Sequence, residues 1–243
     1  MTSTCSLSLS IVSHGQGALI KNLLVDSRSF RGPSFEILLT LNIPEDKSFL
    51  DGFSDLPITV IENASPKGFG DNHNAAFRHS RGQAFAIVNP DIRAQGLDLT
   101  PLYKAAMHPS VGACAPRVTR PDGATEDSFR KFPTLSRLLR RVLLRQRQAD
   151  YHLQSHGLTQ VDWVAGMFVV FPRAAYEAVG GFDTRYFMYM EDADICRRLS
   201  QRDLRILVDG ATAVVHEAQR ASHRSLKHLA WHTRSAVRYM TGY

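Results

Sequence analysis

The first half of the chain alternates short apolar runs with longer stretches of helical periodicity. The runs have the length and composition of β-strands, and the stretches between them are long enough for helices. This repetition predicts a parallel sheet with right-handed crossovers, which restricts the chain to the α/β class. The first run, "LSLSIV", alternates apolar and small polar residues, which predicts a half-buried strand. The predicted strands are 7–12, 35–41, 58–63 and 84–89, and the predicted helices are 18–27 and 70–80.

Polar side chains follow the ends of these predicted strands. In a parallel sheet, ligands bind beyond the carboxyl ends of the strands, so these side chains are the first candidates for a functional site. They are Ser13, His14, Asn42, Asn63, Asn89 and Asp91.

The second half of the chain is less regular but continues the mixed pattern. The length of 243 residues suits one large α/β domain. A single domain is predicted because no internal repeat, low-complexity tract or clear linker interrupts the pattern. Strands are predicted at 111–118 and 161–172 and as two short strands within 204–216, and helices at 173–181 and 191–202.

Cysteine content and the longest apolar run bear on where the protein works. Cys5, Cys114 and Cys196 are far apart and odd in number, which argues against a disulfide framework and favours a reducing cytoplasm. The first residues lack the basic stretch of a secretory signal. The apolar run 164–171 is too short to cross a bilayer as a helix. We therefore expect a cytoplasmic protein without a secretion signal or membrane span.

The segment 130–148 is basic, contains no acid, and has the periodicity of an amphipathic helix. The formal net charge of the chain is +6, which favours an anionic partner. Two interpretations are open: a helix that lies on an anionic membrane, or a surface helix that packs its leucines on the core. Nucleic acid is not expected as the partner, since no aromatic–basic recognition motif accompanies the charge. One face would carry Leu135, Leu138, Leu139, Val142 and Leu143, and the other Arg137, Arg140, Arg141, Arg145 and Arg147.

The motif "NPD" places Asp91 just after a predicted strand. An aspartate there can bind one side of a divalent cation and leave positions open for phosphate oxygens. Asn-Pro-Asp is also ordinary turn chemistry, so both interpretations are open for the motif alone. His216 ends another predicted strand and could complete a metal site at the same edge.

The stretch "YFMYMEDAD" (186–194) places three acids directly after aromatic residues and methionines. A helix that begins near Glu191 would stabilise one or two carboxylates in its first turn through its dipole. That explanation does not cover three acids in an apolar frame. A carboxylate in such surroundings can have a raised pKa and act as a base, which makes Asp192 and Glu191 candidates.

Several motifs in order resemble glycosyltransferase family 2, in its rhamnosyltransferase-like branch. The resemblance runs from about Ser8 to Ser222, and "NPD" together with "GGFD…EDAD" is its specific part. It implies a GT-A fold: a single Rossmann-like, nucleotide-binding domain with a mostly parallel central sheet. Within 1–243 it implies a nucleotide-sugar-binding half (1–92), an acceptor and catalytic half (93–222) and a C-terminal helix (223–243). The motifs are "GFGDNHNAAF" (68–77), "NPDI" (89–92), "VDWVAGMFVVFPR" (161–173), "GGFDTRYFMYMEDADICRR" (180–198) and "VVHEAQRAS" (214–222).

The resemblance also implies roles for individual residues. Asp91 matches the family's carboxylate for Mg²⁺ or Mn²⁺, and His216 matches a position that reaches the same metal or diphosphate. Asp192 matches the catalytic base, preceded by Glu191. The nucleotide-sugar site would comprise Ser13, His14, Asn42, Asn63, Asn74 and Asp91, and the acceptor side Trp163 and Gly166. Asn42 stands where many family members have aspartate, and His14 where other side chains are usual, so the base of the nucleotide is not fixed.

The function implied is inverting, metal-dependent transfer of a hexosyl group from a nucleotide-sugar. TDP-L-rhamnose is the preferred donor, with a UDP- or GDP-sugar as the alternative. The acceptor is expected to be a lipid-linked saccharide of bacterial surface-polysaccharide synthesis, at the inner face of the cytoplasmic membrane. A nucleotidyltransferase is the competing class, but Lys21 of "SHGQGALIK" falls within a predicted helix rather than in a phosphate loop.

Overall fold

The described residues, 5–134, 137, 150–217 and 226–242 of a computed structural model, form eleven strands and six α-helices. The strands are β1 (Leu7–Ser13), β2 (Phe35–Leu41), β3 (Ile58–Glu62), β4 (Ala84–Val88), β5 (Ile92–Arg93), β6 (Val111–Thr119), β7 (Phe129–Arg130), β8 (Leu158–Val161), β9 (Trp163–Val164), β10 (Phe168–Pro172) and β11 (Arg205–His216). The helices are α1 (Gly17–Ser27), α2 (Phe69–His79), α3 (Thr100–Ala106), α4 (Arg173–Ala178), α5 (Glu191–Ser200) and α6 (Leu226–Thr241).

Nine of these strands form one mixed sheet in the order β3-β2-β1-β4-β10-β6-β11-β5, with β8 paired to β11, and β7 pairs with β9 in a separate two-stranded sheet. Strands β1 to β4 are mutually parallel, as are β6 and β11, while β10 is antiparallel to both of its neighbours. This confirms the predicted α/β class and the mostly parallel sheet. Because β1 to β4 share a direction, their carboxyl ends meet along one edge, where ligands are expected to bind.

The sheet has an apolar cluster on each face, and strand β1 is buried on both. Leu7 and Leu9 belong to one cluster, and the alternate positions Ser8 and Ser10 point the other way and are fully buried. The prediction of a half-buried strand is therefore wrong. Ser8 Oγ donates to a Glu36 carboxylate oxygen at 2.7 Å, and Ser10 Oγ lies 2.8 Å from His73 Nδ1. These hydrogen bonds offset the cost of burying two hydroxyls.

The segment 161–172 is not one strand, as predicted, but the end of β8 followed by β9 and β10. Asp162 interrupts it, since its carboxylate accepts hydrogen bonds from the Phe132 amide and the Tyr151 hydroxyl, each at 2.7 Å. A turn at 165–167 then separates β9 from β10. Gly166 allows this turn to lie against α2, because a Cβ there would come within 2.8 Å of the Phe69 ring.

The two short strands predicted within 204–216 are one continuous strand, β11. Its register against β6 shifts between Asp209 and Ala213. The Asp209 carboxylate stabilises this bulge by accepting hydrogen bonds from the Ala211 amide and the Thr212 hydroxyl. The residues that resemble a turn in the sequence therefore bend one strand instead of ending it.

Three predictions from the sequence concern the cysteines, a membrane span and the basic segment. Cys5, Cys114 and Cys196 are all free thiols. Across the described ranges, no helix has both the length and the apolar composition needed to cross a bilayer. Of the basic segment 130–148, only 130–134 and 137 are described, so its membrane and core interpretations lie outside the described residues.

Candidate active site

Asp91 and His216 meet at the carboxyl end of β4. Asp91 lies in the turn between β4 and β5, and β5 pairs antiparallel with the end of β11, where Ile92 opposes His216. This pairing places His216 Nε2 3.1 Å from Asp91 Oδ2. The backbone adds a further tie, because the Glu217 amide donates to the Asp91 carbonyl at 2.9 Å.

Two carboxylates flank the His216 ring. Nδ1 lies 2.5 Å from an oxygen of Glu126, on the side opposite Asp91. Burial lowers the pKa of His216, but hydrogen bonds and charge attraction from Asp91 and Glu126 raise it more, to about 8. The other oxygen of Asp91, Oδ1, is buried and has no hydrogen-bond partner among the described residues. A buried, unpaired carboxylate oxygen is costly unless a cation or a donor group completes it.

The acids of the "EDAD" motif differ in their environments. Asp194 is buried and paired with Arg198 at 2.7 Å and Arg197 at 3.3 Å, which makes it a structural residue. Glu191 is 5% exposed, and within the described ranges its Oε2 has no hydrogen-bond partner. Asp192 is half-buried and accepts hydrogen bonds only from backbone amides among the bonds described, those of Ala193 at 2.8 Å and Gly166 at 3.2 Å.

The pKa values of Glu191 and Asp192 are both raised. Burial is the main cause for each carboxyl, and the neighbouring Asp192 raises the pKa of Glu191 further. The two backbone amides and the more distant Arg130 oppose the rise for Asp192. Two adjacent carboxyls with raised pKa values are suited to base catalysis, since a buried carboxylate with a raised pKa is a stronger proton acceptor than an exposed one.

The loop before these acids is strained and held by α6. Tyr189 and Met190 both have left-handed backbone conformations, with φ of 72° and 67°. Each such residue costs roughly 1–3 kcal/mol, so surrounding contacts must hold it. Ser235 on α6 donates to the Met188 carbonyl at 2.8 Å, and the Tyr189 hydroxyl lies 2.7 Å from His228 Nδ1. The sequence pattern did not indicate these α6 contacts.

The predicted nucleotide-site asparagines Asn42 and Asn63 meet in one hydrogen-bonded cluster after β2 and β3. Asn42 Oδ1 accepts from Asn63 Nδ2 at 2.9 Å and from the Lys67 amide at 2.8 Å. Asn42 Nδ2 donates to the Lys67 carbonyl at 3.0 Å and lies 3.2 Å from His14 Nδ1. Sequence reasoning missed Lys67 and also Asn72, whose side-chain oxygen accepts from Asn63 at 2.6 Å. The spacing of asparagines in "GFGDNHN" was the available signal.

The other predicted nucleotide-site residues are placed differently. Ser13 is fully buried, and its Oγ accepts from the Gln16 amide at 3.1 Å, which closes the turn from β1 to α1. The structure places Asn74 apart from Asn42: its side chain accepts hydrogen bonds from the Tyr176 hydroxyl and the Phe182 amide and donates to the Phe182 carbonyl. Asn74 thus ties α2 to the "GGF" turn, with its oxygen already engaged.

Trp163 and Gly166, predicted on the acceptor side, border α5. Gly166 contacts Asp192 directly through its amide. Trp163 packs against the buried cluster that contains Ala193, donates its indole N–H to the Lys131 carbonyl at 3.0 Å, and has Arg130 5.8 Å from its ring centre. The Trp163 side chain is half-buried, so part of its surface is exposed to solvent.

Comparison with known proteins assigns this arrangement to a family. Residues 8–171, about two thirds of the chain, match the sequence profile described as Glycosyl transferase family 2. The chain belongs to glycosyl transferase family 2. It is therefore a glycosyltransferase, and the predicted family and enzyme class are confirmed.

Two curated relatives support the rhamnosyltransferase-like branch of the family. The chain is 30% identical to the rhamnosyltransferase WbbL of Escherichia coli K12 over 95% of its own length and 90% of that protein. It is 32% identical to an N-acetylglucosaminyl-diphospho-decaprenol L-rhamnosyltransferase of Mycobacterium tuberculosis H37Rv, over 63% of the chain and 53% of the relative. The match therefore spans about half the length of the mycobacterial protein.

Solved structures confirm the GT-A fold. The mannosyltransferase PcManGT of Pyrobaculum calidifontis, in complex with GDP-Man and Mn²⁺, superposes with a TM-score of 0.66 at 20% identity, over 96% of this chain and 64% of that one. GalNAc-T7 with UDP, GalNAc and Mn²⁺ gives a TM-score of 0.72 at 12% identity, over 98% and 48% of the two chains. At these identities the likeness concerns the fold alone.

The amide of Asn42, in place of the family's frequent aspartate, leads to a stability prediction. We expect Asn42→Asp to lower the free energy of unfolding by about 1–3 kcal/mol at neutral pH, because a carboxylate oxygen would face the Lys67 carbonyl where an N–H now donates. Lowering the pH should restore part of the loss, since the protonated carboxyl of the variant can donate again. Urea denaturation at both pH values measures this.

Asn22→Asp provides the matched control, because Asn22 is exposed on α1 and the change should leave stability nearly unaltered. Equal stability of the Asn42 variant and the parent would show that the Asn42 amide does not donate in this cluster.

Proposed function

We propose that the protein is an inverting, metal-dependent rhamnosyltransferase that moves L-rhamnose from TDP-rhamnose to a saccharide acceptor. The observation that carries this proposal is the contact of Asp91 with His216 at the carboxyl end of β4, where the donor diphosphate of an α/β enzyme is expected. The rhamnosyl donor is supported by the two curated relatives, since both are named as rhamnosyltransferases.

The residues present fit a divalent cation. Asp91 offers the buried, unpartnered Oδ1, and His216 offers Nε2 beside it. A carboxylate suits Mg²⁺ and Mn²⁺, and imidazole adds a ligand acceptable to Mn²⁺. Among the described residues no three His, Cys, Asp or Glu side chains form a metal-binding group, so donor oxygens and water would complete the coordination. The cation would supply positive charge to stabilise the departing diphosphate.

Asp192 is proposed as the catalytic base. Its carboxylate removes the proton from an acceptor hydroxyl as that oxygen attacks the anomeric carbon and the bond to the diphosphate breaks. One such displacement inverts the anomeric centre. The raised pKa of Asp192 supports this role, because it brings the carboxylate closer in basicity to the alcohol it must deprotonate. Gly166 and Ala193 hold the carboxylate in place through their amides.

The remaining predicted residues are assigned to the two substrates. We propose that residues 1–92 bind the donor, with His14, Asn42, Asn63 and Asp91 bordering the nucleotide and Ser13 shaping the first turn. Asn74 is given a supporting role only, through its contact with Phe182. Trp163 and Gly166 are proposed to border the acceptor in the half 93–222, since both lie beside Asp192 or its helix.

A lipid-linked saccharide is proposed as the acceptor. The name of the mycobacterial relative specifies a diphospho-decaprenol carrier, which supports an acceptor of this class. With an acceptor on such a carrier, we propose that the enzyme works at the inner face of the cytoplasmic membrane. The basic segment 130–148 would assist by attracting anionic lipid, at about 1 kcal/mol per charge near the surface.

A panel of nucleotide-sugars tests the proposal. We expect release of TDP from TDP-rhamnose, with Mg²⁺ or Mn²⁺ and a GlcNAc-diphospholipid, to be at least about tenfold faster than nucleotide release from UDP- or GDP-sugars. The product should have the anomeric configuration opposite to that of the donor. A faster reaction with a UDP- or GDP-sugar would replace the donor, and release of pyrophosphate would indicate nucleotidyl transfer.

A further inference from the structure

We infer that Glu126 is a positioning residue that keeps Nδ1 of His216 protonated, so that Nε2 is the ring atom available to a cation beside Asp91. The inference rests on the proposed function, in which Asp91 and His216 bind the cation of the donor diphosphate. The motifs that identify the family do not include Glu126, and it lies 90 residues before the histidine in the chain.

The backbone on both sides of Glu126 holds its side chain under His216. The Glu126 amide donates to the Val118 carbonyl at 2.8 Å, and the Glu126 carbonyl accepts from the Ser128 amide at 2.8 Å. The chain between β6 and β7 thus folds back on β6. The Thr119 hydroxyl ties the end of β6 to β11 by donating to the Val214 carbonyl at 3.1 Å, two residues before the histidine.

The contact of Glu126 with His216 determines which nitrogen of the histidine ring keeps its proton. Glu126 Oε2 is 2.5 Å from Nδ1, and a carboxylate can only accept there, so the ring nitrogen is the donor. A neutral imidazole with the proton on Nδ1 has its lone pair on Nε2. Without a cation Nε2 donates to Asp91 Oδ2 at 3.1 Å, and the shorter contact with Glu126 keeps the proton on Nδ1 when Nε2 gives up its own proton to bind a cation beside Asp91.

Three side chains therefore form a row in which each has a separate task. Asp91 and His216 would each present an atom to a bound cation, while Glu126 selects the tautomer and stops rotation of the ring. The His216 side chain is 10% exposed and that of Glu126 is 21% exposed, so water competes little for the hydrogen bond between them. Loss of a carboxylate behind a metal-binding histidine typically lowers metal affinity 10–100-fold.

Two variants of Glu126 separate the effect of its hydrogen bond to His216 from the effect of its side-chain volume. Glu126→Met keeps the length of the side chain without an acceptor, and Glu126→Gln keeps an oxygen that can accept the Nδ1 proton. Glu177→Ala, an exposed glutamate on α4, serves as the control for loss of one acidic side chain. Because the backbone bonds of Glu126 do not involve its side chain, each variant should stay folded, and the Met variant should melt at a somewhat lower temperature than the Gln variant because it loses the hydrogen bond to His216.

The ring is observed directly by nitrogen-15 NMR of the metal-free protein, at a pH above the His216 pKa of about 8. The parent and the Gln variant should show the form protonated on Nδ1, and the Met variant should shift toward protonation on Nε2. Mn²⁺ binding in the presence of TDP, followed by electron paramagnetic resonance, should weaken about 10–100-fold for Met and only a few-fold for Gln.

The outcomes distinguish this inference from the proposed function. An unchanged ring form in the Met variant overturns the inference, whatever happens to metal binding. A shifted ring form with unchanged Mn²⁺ affinity, accompanied by unchanged affinity in His216→Ala, shows that His216 binds no metal; it overturns the metal role proposed for His216 and the role of Glu126 in supporting it. Loss of affinity in His216→Ala together with normal affinity in the Met variant leaves the proposed function standing and rejects the role of Glu126.

Discussion

Asp192→Asn should reduce turnover by about 10²–10⁴-fold while the affinity for the nucleotide-sugar stays within a few-fold. The change keeps the shape of the side chain and removes its basicity. One of the two backbone amides that now donate to the carboxylate, from Ala193 at 2.8 Å or Gly166 at 3.2 Å, would face an NH₂ group instead. Steady-state rates and a separate donor-binding titration measure the two quantities independently.

Glu191→Gln is the matched control for this prediction. The two acids are adjacent, and each change replaces one carboxyl by its amide. Burial raises the pKa of Glu191 well above its usual range, which favours the neutral acid over the carboxylate. Replacing a neutral acid by a neutral amide should therefore leave turnover within a few-fold of the parent. If the Gln variant loses activity and the Asn variant does not, Glu191 is the base and the assignment is reversed.

The fold was predictable where one physical signal dominates. Apolar runs separated by helical stretches determine a parallel sheet, and the bounds of β1 to β4 lie within a residue or so of the prediction. The predictions failed where a side-chain hydrogen bond overrides the pattern. Ser8 and Ser10 look solvent-facing in the sequence, but Glu36 and His73 satisfy them inside the core. Their partners are distant in the chain, and the periodicity of β1 contains no trace of them.

The breaks in the second half illustrate the same limit. Asp162 ends a pairing inside an apolar run because two distant donors converge on it. Asp209 does the opposite, since its carboxylate lets β11 continue through residues that resemble a turn. Both aspartates stand next to strand residues in the sequence. Only the positions of the groups that donate hydrogen bonds to each aspartate distinguish the end of a strand at Asp162 from the bulge within β11 at Asp209.

The candidate site was predictable to the extent that its residues follow strands. Asp91 and His216 were singled out because each ends an apolar run, and the pairing of β5 with β11 brings them to 3.1 Å. Glu126 and Lys67 were missed because they lie in loops, where no periodicity marks them. Their contribution depends on hydrogen bonds to residues far away in the chain, which a single sequence does not encode visibly.

The metal dependence proposed for Asp91 leads to the second large effect. With Mn²⁺ or Mg²⁺ present, Asp91→Ala should weaken donor binding by at least about 100-fold, since even an indirect partner of a metal ligand is worth 10–100-fold. With EDTA, the same change should have little effect or slightly strengthen binding. Without a cation, the carboxylate repels the diphosphate, and its removal relieves that repulsion. Calorimetric titration of TDP under both conditions measures the difference.

Asp122→Ala controls for the loss of one negative charge, because this aspartate is largely exposed in the turn after β6. It should change TDP affinity by less than a few-fold under either condition, since exposed charges are screened. The informative quantity is the ratio of the Asp91 effect with metal to its effect without metal. A ratio near one would mean that Asp91 acts on the protein rather than through a cation. In that case the turn between β4 and β5, and not a cation site, would explain why Asp91 Oδ1 has no hydrogen-bond partner among the described residues.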